Sequence, residues 1–341
     1  MNPFRPASAA AFPASPRRRN VLQLGAAGAA LGLLGAPAVL RAQTAPKIRI
    51  GYWPIAAGLP FYSAIELGYF KEAGLDVEPL KFAGAQQVME AVLSGRADGT
   101  ANGTGSANIA IGELAQPGTF KIFCSNPSNV KNVLDEIIVP VASPAKTIVD
   151  LKGKRIASGP GIQNVTLAKT VLERGGATGA TVVELPIGQH VAALAAGQID
   201  GAYTLEPTGT IGRMNGTSRV LEAGVIAHYV LGDPMAPWFG GSASLSSEFI
   251  KKHPDAAKKF VAAYGKGVAY VRSKSTEARQ YLKGYTAIEG ALTSEVPLAA
   301  YTMYNEFTPA DVAHFQKFFD LFADKGIFSK RLLVDSMLYK G

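Results

Sequence analysis

The sequence predicts an α/β protein built as two similar lobes. Three observations carry this expectation. The element Ala91-Val92-Leu93-Ser94-Gly95-Arg96-Ala97-Asp98-Gly99 returns as Ala193-Leu194-Ala195-Ala196-Gly197-Gln198-Ile199-Asp200-Gly201. A separation of 102 residues between Gly95 and Gly197 is too long for a solenoid repeat and suits a second α/β lobe. Short alternating strands are followed throughout by segments with apolar residues at helical spacing. The turns from strand to helix carry Gly and small polar residues, as at the C-terminal edge of a mostly parallel sheet.

In order along the chain, Lys47-Ile48-Arg49-Ile50-Gly51-Tyr52 alternates as a first strand, and Trp53-Pro54 breaks it. A helix is expected over 59–70, with Pro60 in its first turn, where a missing N–H costs nothing. Gly74 stops it before a strand at 75–80. Gly84 and Gln86 stand in the loop that opens the helix running to Gly95. A third strand at 98–102 leads into the loop Gly103-Thr104-Gly105-Ser106 and a helix at 107–115; a fourth, at 120–125, ends at Asn126-Pro127. The apolar strand 136–140 precedes a second lobe that restates the first. Its strand 155–157 runs into the loop 158–164, a helix at 165–174 and a strand at 181–185. The loop Pro186-Ile187-Gly188-Gln189 and a helix at 191–196 lead to Gly197. Segments 219–223 and 226–231 are expected as the last strands of that lobe, and 238–245 as a return strand. Helices follow at 249–271, 278–282 and 311–325, the last opened by Thr308-Pro309-Ala310-Asp311.

Composition places the chain among ordinary globular proteins, with 48% hydrophobic and 18% charged residues in 341. The formal charge of +8 hints at nucleic acid until its position is considered. Residues 1–42 hold Arg5, Arg17, Arg18, Arg19 and Arg41 and no acid, leaving +3 for the rest. No basic tract remains there, so no nucleic-acid partner is expected. Arg17-Arg18-Arg19-Asn20-Val21-Leu22 before an Ala/Gly/Leu-rich run to Leu40 reads as a twin-arginine signal peptide at 1–42, with the mature chain beginning near Gln43. The expected location is therefore the periplasm.

Catalytic signatures are thin. Cys124 is the only cysteine, so no intramolecular disulfide or cysteine-rich metal site can form. His190, His228, His253 and His314 lie in no metal-binding spacing, and there is no P-loop, G-x-G-x-x-G or G-x-S-x-G element. No cofactor and no metal are expected. Glu206, before Pro207, is the best-placed carboxylate, either accepting a hydrogen bond from a ligand or capping the next helix. Trp53 and Trp238, next to Pro or Gly, either stack on a ligand or pack in the core. The loops collect free N–H groups at helix mouths, which favours an anion or a polar ligand edge.

Ile50-Gly51-Tyr52-Trp53, Pro60-Phe61-Tyr62-Ser63-Ala64, Leu67-Gly68-Tyr69-Phe70-Lys71, Gly74-Leu75-Asp76-Val77 and Ser94-Gly95-Arg96-Ala97-Asp98 together carry a family pattern. The chain resembles the periplasmic solute-binding proteins of ABC importers for nitrate, sulfonates, taurine and thiamine-pyrimidine precursors. The resemblance implies a two-lobed binding-protein fold of type II with a two-strand hinge near 137–139 and 227–238. It divides the chain into lobe I at 43–136 and 232–341 and lobe II at 137–231.

It also implies that a monomer closes on one small organic solute, a sulfonate, carboxylate or pyrimidine-like compound, and presents it to an ABC permease. The implied ligand positions are Tyr52, Trp53, Gly84, Gln86, Thr104 and Ser106 in lobe I, with Asn126 and Trp238. In lobe II they are Gln163, Asn164, Gln189 and Glu206. The glycine loop of lobe II, often rich in Ser or Thr and followed by His in that family, is here Gly161-Ile162-Gln163-Asn164-Val165. That departure weakens a sulfonate or taurine assignment, since two amides suit a carboxylate or a neutral heterocycle equally. A receptor for a membrane sensor is the alternative partner. The fungal pyrimidine synthases of the same fold resemble a cysteine-rich pattern that this chain lacks, so no enzyme is expected.

Overall fold

The computed structural model describes residues 46–341. The targeting segment expected at 1–42 lies outside the described residues. The first strand, β1 (Lys47–Tyr52), alternates as its sequence dictates and pairs in parallel with β2 (Asp76–Lys81) and β3 (Gly99–Gly105). Between them run α1 (Leu59–Glu66), α2 (Tyr69–Glu72) and α3 (Ala85–Leu93). The single helix expected at 59–70 is broken at Gly68, whose φ of 74° is left-handed. After β3 come α4 (Ser106–Ala115) and β4 (Phe120–Ser128). The loop expected at Gly103-Thr104-Gly105 is strand instead, because this stretch pairs with a return strand.

Lobe II repeats the plan. It starts with β5 (Asp135–Pro140), then β6 (Arg155–Ser158), α5 (Ile162–Arg174), β7 (Thr181–Glu184), α6 (His190–Ala195), β8 (Gly201–Leu205), α7 (Thr208–Met214) and β9 (Ser218–Ala223). The chain returns through β10 (Trp238–Ser246), α8 (Ser247–Lys252), α9 (Pro254–Ser273), α10 (Ser275–Ala278), β11 (Thr302–Met303) and α11 (Pro309–Asp324). Pro254 splits the helix expected at 249–271, since it removes a helical donor and starts a new first turn. Thr308 and Asp311 close a capping box at the start of α11, as their spacing predicts.

The sheets are ordered β11-β4-β10-β3-β1-β2 and β7-β6-β8-β5-β9. Four of six strands in the first and four of five in the second run the same way, so both are mostly parallel α/β sheets. The antiparallel member beside β3 is β10 and that beside β8 is β5, each the first strand after the chain has crossed from the other lobe. The crossings are at 129–134 and 224–237. Residues 137–139, expected as a hinge strand, lie inside β5, where they pair with β8 and β9. Segment 226–231, expected as strand, forms a π-helical turn at Ala227–Leu231. Its apolar run has no alternation, Gly224 (φ 65°) turns the chain away, and Asp135 Oδ2 takes the Ile226 N–H at 2.9 Å.

Aromatic rings fill lobe I: Phe70 stacks on Phe260 at 4.9 Å and Phe123 meets Tyr264 edge-on at 5.0 Å. The α11 rings pack on the return strand, Phe315 against Phe239 and Phe318 against Trp238. Among the described residues no helix is long and apolar enough to cross a membrane.

Candidate functional site

The repeated element ends α3 and α6 with left-handed glycines, Gly95 (φ 68°) and Gly197 (φ 66°), and then delivers an aspartate to the start of a strand. Asp98 Oδ2 accepts the Arg49 N–H at 2.8 Å, Asp98 N–H donates to Arg49 O at 2.7 Å, and the guanidinium grips both carboxylate oxygens. In lobe II Asp200 makes the same two bonds to the Arg155 backbone, both at 2.8 Å, while the Arg155 guanidinium donates to Gly197 O and lies 3.5 Å from Asp200 Oδ2. These staples lie at the N-terminal ends of the strands. The opposite ends of β3 and β8 face the groove between the lobes.

That groove contains a cavity of about 470 Å³. Lobe I contributes Trp53 and Pro54 after β1, Lys81, Phe82 and Ala83 at the end of β2, and Thr286 and Ala287. Lobe II contributes Pro186, Ile187 and Gly188 after β7, with Pro207 and Thr208 after β8. The walls are mainly apolar, with two threonines and one cationic side chain, Lys81, at an exposed position. Such a lining suits a small molecule with an apolar body. Trp53 ties the cavity to β3: its Nε1 donates to Gly103 O at 2.8 Å. A side chain at Gly103 would strike Ile55, its Cβ falling 2.4 Å from Ile55 Cδ1.

Deeper in, the lobes touch. Ala56 N–H donates to Glu206 O at 2.9 Å. Gln163, at the first turn of α5, accepts the Ala107 N–H through Oε1 at 2.7 Å and donates through Nε2 to Gly240 O at 2.9 Å. Gly84 faces the Pro160 ring, and Gly161 faces the Gln86 side chain.

Of the twelve residues singled out from the sequence, only Trp53 lines the cavity. Gly84, Gln86, Gln163 and Glu206 lie along the seam where the lobes meet. Thr104, Ser106 and Asn126 are buried within lobe I, where Ser106, Ser242 and Ser125 pass hydroxyl bonds to Gly241 O and Asn126 pairs with Asn102. Tyr52 packs into the aromatic core against Tyr62 and Tyr285, and Trp238 under α11. Asn164 donates within its own loop to Pro160 O, and Gln189 is exposed. The expected ligand loops contain no Lys or Arg. Lys81, the last residue of β2 and directly before the loop that holds Gly84, brings a cation to the cavity.

Three acids are buried in lobe II: Glu136 and Glu206 against α7, and Asp135 against the backbone at 225–226. Asp135 is pushed up to about 7 by burial, which outweighs the N–H bonds it accepts. Glu136 rises well above the ordinary carboxylate range through burial, reinforced by Glu206 and Asp135 and opposed by Arg213. Glu206 is raised by burial too, although Thr210 donates to it from both N–H and hydroxyl. It thus caps α7 from inside, one of its two expected roles. His190 is driven down to about 4 by burial and is neutral, its Nε2 on Leu185 O. Burial pushes Cys124 up to about 12, so its thiol stays protonated. Among the described residues no group of three or more His, Cys, Asp or Glu converges in a way that could hold a metal ion.

A family model described as NMT1/THI5 like matches residues 57–278. The alkanesulfonate-binding protein SsuA of Xanthomonas axonopodis pv. citri, solved bound to MOPS, superposes with a TM-score of 0.69. It is 21% identical over 87% of this chain and 99% of that one. The periplasmic aliphatic sulphonate binding protein SsuA of Escherichia coli gives 0.66 at 19% identity, covering 86% and 92%. The desulfurization enzyme DSZB gives 0.62 at 13%, covering 86% and 96%. No curated protein sequence matches the chain. These likenesses establish a fold that hosts both binding and catalysis.

Proposed function

The chain belongs to the NMT1/THI5-like family, and on that premise we propose that it is the extracytoplasmic solute-binding component of an ABC importer. It takes one small organic solute into the groove between its lobes and delivers it to a permease. The solute has an apolar body and an anionic group. The observation that carries this reading is the cavity itself: both lobes line it, Trp53, Phe82 and Ile187 supply apolar surface, and Lys81 stands at its edge. An exposed lysine at a groove mouth attracts anions and speeds their entry more than it tightens the final complex. The sulfonates bound by the structural neighbours are consistent with such a solute.

The reading favours binding over catalysis, because the one thiol is buried and protonated and, among the described residues, no nucleophile–base pair lines the cavity. Export by the twin-arginine route accords with Arg17-Arg18-Arg19 before an apolar run.

The test is a thermal-shift panel of sulfonates, aromatic carboxylates and pyrimidines, since a ligand of the folded state raises its stability by mass action. One clear stabilisation by an anionic compound is expected, with salt-dependent association that Lys81→Met slows. A flat response across the panel, together with turnover of any compound, would sink the proposal.

A further inference from the structure

Gln163 holds an unusual place for an amide in the first turn of a helix. It is 4% exposed and belongs to lobe II, yet both of its hydrogen bonds are made to lobe I. The N–H it satisfies, that of Ala107, is one of the donors a helix leaves free at its start. The helix is α4, ten residues long. Beside it stands Asn108, 1% exposed, and neither its amide nitrogen nor its oxygen has a hydrogen-bond partner among the described residues.

The two amides converge over Gly105. A Cβ on that glycine would lie 2.8 Å from Gln163 Oε1 and 2.9 Å from Asn108 Nδ2. The absence of a side chain at Gly105 lets Gln163 Oε1 reach the Ala107 N–H at the positive end of α4, with the unpartnered Asn108 amide close by. That donor set suits a carboxylate or sulfonate oxygen. In this structure the chain fills it with its own neutral carboxamide.

We infer that Gln163 is an internal stand-in for the solute's oxyanion. It holds the lobes together while the groove is empty and is displaced when an anionic oxygen takes the Ala107 N–H and the Asn108 amide. The inference rests on the solute-binding reading and names the group recognised. An anionic oxygen makes a stronger bond to the same N–H than an amide oxygen does, and the helix dipole adds to the difference. The empty protein is accordingly closed by default, and a solute's apparent affinity is reduced by the factor by which the plugged form outweighs the open one.

Small-angle scattering of the solute-free mature protein tests the latch, and calorimetry with benzenesulfonate, benzoate and uncharged benzamide tests the displacement. Gln163→Ala should open the empty protein and strengthen binding of the two anions by about tenfold, with benzamide unaffected. Gln163→Glu supplies a permanent anion at α4 and should abolish binding of both anions at neutral pH. If Gln163→Ala instead weakens the anions, Gln163 is a direct ligand contact and the inference fails. A fall in Tm with unchanged shape and affinity would make the residue merely structural and overturn it equally. If no form binds any of the three probes while Gln163→Ala still opens, the latch stands and displacement by an oxyanion falls, whereas the solute-binding reading is lost separately, by a flat panel with turnover on the native protein.

Discussion

The two copies of the duplicated element agree at one end and part company at the other. At the N-terminal ends of β3 and β8 the backbone chemistry is the same: Asp98 clamps the Arg49 backbone and Asp200 that of Arg155, and only the first pair adds side-chain hydrogen bonds. At the C-terminal ends β3 runs through Gly103 and Gly105 into α4, its carbonyl held by Trp53, whereas β8 runs into Glu206 and a helix capped by that buried acid. One end of each strand serves the fold of its own lobe. The other end is where the lobes meet and where the chain has diverged from its duplicate.

Substitutions that sharpen this contrast fall in a clear order. Trp53→Ala at the cleft end should lower stability by about 3–5 kcal/mol, as truncating a buried Trp does, and also abolish the solute-induced rise in Tm. If stability falls while the ligand response survives, the cleft end is structural too and the contrast breaks. Next comes pH. The raised carboxyl of Asp135 binds its proton in the folded state at a pH where the unfolded chain has released it. Its contribution is therefore complete below about pH 4 and lost as pH rises through about 7. A carboxyl raised that far above its ordinary range contributes at most about 4 kcal/mol. Asp135→Asn should flatten urea-unfolding stability across that window, and an unchanged profile would show the acid is not responsible.

The staples follow. Asp98→Ala should cost about 2 kcal/mol, because a carboxylate bonded to a half-buried N–H and guanidinium is lost. Asp200→Ala should cost about 1 kcal/mol or less, its pair being more exposed and its ion contact longer, at 3.5 Å. Neither should alter solute affinity. A change in affinity from either would erase the division between the two ends.

Much of the fold was legible because its signals are local. Alternation in Lys47-Ile48-Arg49-Ile50, glycine stops at Gly74 and Gly95, and the Thr308–Asp311 capping box are written within a few residues. What escaped depends on partners far away. Gly103-Thr104-Gly105 reads as a loop until β10 lies beside it, and Ile226–Leu231 reads as strand although β9 already forms the sheet's edge. The site followed the same rule. Loop positions can be counted off, which brings Gly84, Gln86, Gln163 and Glu206 to the seam between the lobes, though the sequence marks them as ligand contacts and none lines the cavity. Whether an aromatic in a turn faces the groove is a matter of tertiary packing, which separated Trp53 from Tyr52 and Trp238. Lys81 was passed over because it counts as the last residue of β2, although its position at the strand's end brings it to the cavity.

The interleaving of β10 between β3 and β4 also has a bearing on synthesis. Every strand of the second sheet lies within residues 135–223, so that lobe can form as a continuous stretch of chain. The first sheet cannot. Its strand β4 and the outer edge of β3 are not paired with each other and must wait for β10, which ends at Ser246, after the whole of the second lobe has been made. The later lobe is thus the first whose sheet can be completed on a growing chain, while β4 and the outer edge of β3 stay open to the cell's chaperones until β10 is made.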